Sequence, residues 1–226
     1  MDENEDIALR YSEMRGLPID HGDEPIRLFK SNFLEFFTHI TPQAVLILWA
    51  PVIAWLFWRA LRLAPQGIFP AYILSAAVVG LMLWTFAEYT LHRFVFHFHP
   101  RKSDLLKRIV FLFHGIHHAQ PQCKTRLVMP PAVSVPMALL FYGLFYWIFA
   151  RQLAAPEWVD PLAAGIFLGY LAYDMIHYAT HHFRMSAGVL RTLKRQHMRH
   201  HYKTPWQRFG VSSPLWDVVF NTLPRD

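Results

Sequence analysis

The 226-residue chain has one cysteine, Cys123, and few charges: Asp, Glu, Lys and Arg together make 17% of it. A single cysteine excludes an intrachain disulfide and a Cys-rich zinc or iron–sulfur site. Scarce charge, against 54% hydrophobic residues in long blocks without amphipathic period, argues against an ordinary soluble domain. The formal charge of +6 does not point to nucleic acid, because the basic residues flank the apolar blocks, where lipid headgroups and membrane topology select them. The start also lacks a basic run leading into an apolar core. Residues 1–6 carry four acids, so no cleaved signal peptide is expected.

Uncharged stretches cover residues 40–58, 63–87 and 127–150, which are 19, 25 and 24 residues long. A membrane-spanning helix needs about 20 residues at ~1.5 Å rise each. A fourth stretch, 161–173, is 13 long and reaches span length only by continuing through Asp174 and His177. The expected fold is therefore an all-α integral membrane protein of about four transmembrane helices with a cytoplasmic helical cap. If the N-terminus, the 92–126 loop and the C-terminal tail share one side, they carry 19 basic residues against three on the other. That asymmetry places both chain ends and the cap in the cytoplasm. Residues 1–39 then form a cytoplasmic or interfacial segment and 40–226 the membrane-embedded domain. Residues 25–40 mix Phe and Leu with Arg27, Lys30 and Glu35, which predicts a helix lying on the membrane surface.

What is abundant is histidine: 14 residues, where about 2% of a chain would be ordinary. Ten follow one plan run twice, a pair and then a His-x-x-His-His triplet. The first run is His92, His97, His114, His117 and His118; the second is His177, His181, His197, His200 and His201. Positions i, i+3 and i+4 of a helix share a face, so each triplet points one way. His92 and His97 are five apart and diverge on an ideal helix, so they meet only if the helix ends or bends, for which Pro100 is suited. Ten imidazoles suit two transition metals with about five nitrogens each, far more than a closed structural zinc site uses. Two adjacent redox metals suit dioxygen chemistry. Glu88 and Asp174 precede the first histidine of each pair by four and three residues. Both are candidate acceptors for the outward ring N–H of a ligand histidine, the bland reading being that they mark the water boundary. His21 and His39 are set aside as ordinary, and His99 and His182 fall outside the plan.

On these residues the chain resembles the fatty acid hydroxylase superfamily, most closely the fatty acid 2-hydroxylases. The matching stretches are residues 88–97 (EYTLHRFVFH), 113–118 (FHGIHH), 126–131 (RLVMPP), 168–178 (LGYLAYDMIHY), 197–201 (HMRHH) and 209–223 (FGVSSPLWDVVFNTL). The resemblance implies a di-iron monooxygenase that places a hydroxyl beside the carbonyl of a fatty acyl chain, in a free fatty acid or sphingolipid, with dioxygen as co-substrate. Imidazole suits zinc as well as iron, so zinc can replace iron in purified samples. The acyl tail would lie among the spans, with Arg126 and Tyr202 as candidates for headgroup contacts. Many eukaryotic members carry a fused cytochrome b5 domain. Here 39 residues precede the first span and no His-Pro-Gly-Gly occurs, so a separate cytochrome b5-like or ferredoxin-type donor is expected. A desaturase on the same metal site, a metal-binding carrier and a zinc-stabilised anchor stay open as alternatives.

Overall fold

The computed structural model describes residues 19–64, 71–98 and 103–224. They are mostly helical, with no strand among them. We label the helices α1 (Asn32–Phe36), α2 (Pro42–Leu63), α3 (Ala71–Thr90), α4 (Asp104–Val110), α5 (Pro131–Phe145), α6 (Val159–His182), α7 (Gly188–Tyr202) and α8 (Leu215–Val219). Four stretches are long and apolar enough to cross a membrane: Pro42–Leu63, Ala71–Phe96, Pro131–Gln152 and Pro156–His182. Each overlaps one uncharged stretch of the sequence, including the short fourth one.

Local chemistry sets where the spans begin. The Thr41 hydroxyl accepts from Ala44 N, and Pro42 sits at the first turn of α2, where a missing N–H costs nothing. Pro131 opens α5 in the same way. The fourth span is the hub of the bundle. Its apolar window is 78% buried, against 11–33% in the other three. Small residues make this possible: a Cβ on Gly165 would lie 2.1 Å from the Ala77 carbonyl oxygen, and one on Gly80 2.3 Å from that of Leu162. α3 and α6 therefore meet backbone to backbone, a contact that lipid-embedded helices favour. Trp49 closes the α2 side with its ring edge-on to Phe167 and Tyr170. Ile47, Leu74 and Leu140 point outward, as suits hydrocarbon solvent.

α3 and α6 end at the histidines, and α2 and α5 start there. At the opposite end Arg59 pairs with Asp160 at 3.2 Å, and the Tyr142 hydroxyl donates to the same carboxylate. Partnering of this kind is what lets charge sit at the edge of a span.

The segment over residues 25–40 is not one helix. The Glu35 carboxylate accepts from Leu28 N and Phe29 N, at 3.0 and 2.8 Å, which draws the chain out of helical pairing. Only Asn32–Phe36 is helical, capped by Ser31. His99 and Pro100 lie outside the described residues, as do residues 1–6.

Candidate metal centre and cavity

The divergence expected for His92 and His97 does not occur, because the backbone widens. α3 runs on as a π-helical turn over Leu91–Phe96, and His97 N donates to the His92 carbonyl at 3.1 Å. An i→i+5 bond brings residues five apart onto one side. A second π-helical stretch, Phe111–Gly115, carries His114, and the short helix Ile116–Ala119 carries His117 and His118. α6 supplies His177 and His181, and α7 supplies His197, His200 and His201.

The ten side chains form two quintets. His92, His97, His114, His118 and His200 make one; His117, His177, His181, His197 and His201 make the other. Within each, one donor atom per residue lies within 4.8 Å of all the others. Both triplets are split: their i and i+4 members go to one quintet and the middle histidine to the other.

The donor chemistry fits a metal. Two nitrogens bound at right angles to one ion at about 2.1 Å would lie about 3.0 Å apart. In the first quintet, Nε2 of His114 is 3.0 Å from those of His92 and His118, and His118 is 3.3 Å from His200. In the second, the corresponding separations are 2.9 Å for His117–His177, 2.8 Å for His181–His197 and 3.1 Å for His197–His201. His92 Nδ1 donates to the Phe209 carbonyl and His200 Nδ1 to that of Gln207, at 2.5 and 2.7 Å. A carbonyl only accepts, so each of these rings turns an Nε2 lone pair inward. The buried Nε2 of His97 has no hydrogen-bond partner. Burial, reinforced by neighbouring rings, holds His97, His114, His117, His118, His197 and His201 well below the usual histidine range. Burial brings His200 to about 4. Uncharged rings with converging lone pairs are what metal binding requires.

The two carboxylates do not accept from histidine. Glu88 receives Val211 N at 2.6 Å, Ser212 N at 2.8 Å and the Ser212 hydroxyl. Asp174 receives Met129 N at 3.2–3.3 Å. The ring acceptors found are main-chain carbonyls, and the carboxylates hold loops. Spacing alone gives no role to Asp217, which accepts from Phe209 N and Gly210 N at 2.9 and 2.7 Å and so fixes the carbonyl that orients His92. Gly210 is needed there, because a Cβ would lie 2.0 Å from the Ser213 carbonyl oxygen. The signal was present in the 209–223 stretch, without residue-level meaning.

A cavity of about 220 Å³ adjoins the quintets. Its polar end holds His114, His117, His177, Asp174 and Tyr173; Phe29, Phe37, Leu112, Val128 and Met129 are among its apolar walls. Arg126 also lines it, but its guanidinium is engaged with Glu35 at 2.6 Å, His39 at 3.1 Å and the Ile26 carbonyl. Tyr202 is not at the cavity. It is 42% exposed at the last residue of α7 and stacks against His21. His182 belongs to neither quintet and packs on Tyr178.

The sequence profile for "Fatty acid hydroxylase" matches residues 77–222, which include all ten histidines. The chain belongs to the fatty acid hydroxylase family. Among its relatives is the dihydroceramide fatty acyl 2-hydroxylase FAH1 of Arabidopsis thaliana, 37% identical over 95% of this chain and 86% of its own length. The fatty acid 2-hydroxylase of Mus musculus is 36% identical over 96% of this chain, which spans 61% of the mouse protein. A solved structure described as full-length scs7p, with only the hydroxylase domain visible, superposes with a TM-score of 0.77 at 31% identity. It covers 98% of this chain and 93% of that one. Family, bundle and histidine-lined centre therefore agree.

Proposed function

We propose that this chain hydroxylates a fatty acyl chain at the carbon beside its carbonyl, in a free fatty acid or sphingolipid. The observation that carries this is the apolar cavity ending on His114, His117 and His177, members of both quintets. The family's relatives named above are 2-hydroxylases of such lipids.

The ten histidines would hold two iron ions, which with dioxygen as co-substrate supply the oxidising chemistry. The chain's own residues position and exclude. Phe29, Phe37, Leu112 and Val128 hold the alkyl tail in a dry channel, and the histidine end receives the carbons nearest the carbonyl. Asp174 fixes Met129 and thereby the wall formed by the 127–131 loop. Arg126 ties this loop to the N-terminal segment, and in this reading its part in headgroup binding is indirect. Electrons come from a donor protein of the cytochrome b5 or ferredoxin type. On the sequence pattern, residues 1–39 would make a cytoplasmic or interfacial segment and 40–226 the membrane-embedded hydroxylase domain. The basic asymmetry supports a cytoplasmic cap in this reading.

The test is expression of wild type and His177→Ala in a host lacking 2-hydroxy lipids, with lipid fragmentation by mass spectrometry. Acyl chains with one added oxygen beside the carbonyl, in wild type only, are expected. Chains lacking two hydrogens would replace this reading with a desaturase.

A further inference from the structure

Residues 175–216 contain seven Lys or Arg and no Asp or Glu. Several cations elsewhere around the cap have acidic partners: Lys107 has Asp104, Lys124 has Asp23 and Arg126 has Glu35. Arg191, Arg195 and Lys203 are exposed and form no ion pair with a described residue. Arg191 and Arg195 lie one turn apart on α7, whose other side buries His197, His200 and His201, and Lys203 follows at its C-cap. The basic face is thus one helix thickness from the quintets.

A second observation lies on the same face. Two exposed aromatic rings touch histidines, one from each quintet. Trp206, 49% exposed, meets His97 with ring centroids 5.4 Å apart; Tyr202 lies 6.1 Å from His201. At these two points surface and centre are one ring contact apart.

We propose that the outer face of α7, with Tyr202 and Trp206 at its end, docks a small acidic electron-transfer domain. This rests on the hydroxylase reading, which requires electrons. Each docking passes one electron inward and leaves the donor oxidised by one. Two such events and two protons balance insertion of one atom of O2 into a C–H bond and release of the other as water. Charge complementarity selects the partner and speeds its encounter, while the rings mark the short path. Because the same cations could face anionic lipid, the experiment separates the two.

Full-length protein in nanodiscs of phosphatidylcholine alone is titrated with two acidic probes, the soluble haem domain of cytochrome b5 and a plant-type [2Fe–2S] ferredoxin. At least one is expected to bind at low salt and to weaken as salt rises. Arg191→Glu/Arg195→Glu/Lys203→Glu should lower that affinity at least ~tenfold, with unchanged unfolding temperature and metal content. Should that variant unfold early, Arg191→Gln/Arg195→Gln replaces it, with a smaller loss expected. Binding by neither probe, or equal binding by wild type and variant, overturns the proposal. So does a variant that loses affinity only for phosphatidylserine-containing discs, which would assign the face to lipid. Salt-sensitive binding without any 2-hydroxy product would remove the hydroxylase reading and leave the docking face standing.

Discussion

Glu88 and Asp174 occupy corresponding places at the ends of α3 and α6, yet they do different work. Glu88 is saturated: two main-chain N–H groups and a hydroxyl of the 211–212 segment converge on it. Asp174 takes one main-chain N–H and the Tyr170 hydroxyl, and it also lines the cavity. One half of the molecule uses its carboxylate as a tether. The other leaves part of it facing the cavity. Apparent repetition in the sequence therefore conceals a division between a structural side and a reactive side.

The largest effect expected is on the histidines themselves. His118→Ala and His177→Ala, one from each quintet, should each abolish product and lower bound metal while the protein still enters membranes; full activity in either would remove that residue from the centre. Next is Glu88→Ala, which leaves the Val211 and Ser212 N–H groups and the Ser212 hydroxyl without their acceptor and should cost about 3 kcal/mol in thermal unfolding. Asp174→Ala deprives one main-chain N–H of its acceptor, while the Tyr170 hydroxyl keeps the Met129 carbonyl, and should cost nearer ~1–2 kcal/mol. Equal losses would break the comparison. Asp174→Asn keeps an acceptor oxygen, so it should hold stability within ~1 kcal/mol while product falls sharply, a split visible by assaying both on one preparation. The smallest effect is at Tyr202→Phe, an exposed position away from the cavity, where stability should move by no more than ~0.5 kcal/mol and lipid specificity not at all.

The spans were legible because absence of charge over about 20 residues has few other causes. So were the ten histidines, since residue type and spacing carry that signal. Three things were not. The π-helical turn at Leu91–Phe96 is a choice of hydrogen-bond register, which no residue type announces. The carboxylates were misread because spacing shows neighbours three or four residues away, whereas the partner of Glu88 lies 123 residues along the chain. The interfacial helix was overdrawn because Glu35 could serve either a helical surface or the amides of Leu28 and Phe29, and it does the latter.

The crossing of the triplets has a consequence for how the protein is made. Under the proposed ligation, the first quintet has four of its members by residue 118 but waits for His200, and the second waits for His201. Neither is complete until the last span has left the ribosome and α7 has folded back across the earlier turns. Metal capture is then the closing event of biosynthesis, and a chain truncated before α7 would enter the membrane yet offer no finished place for either ion.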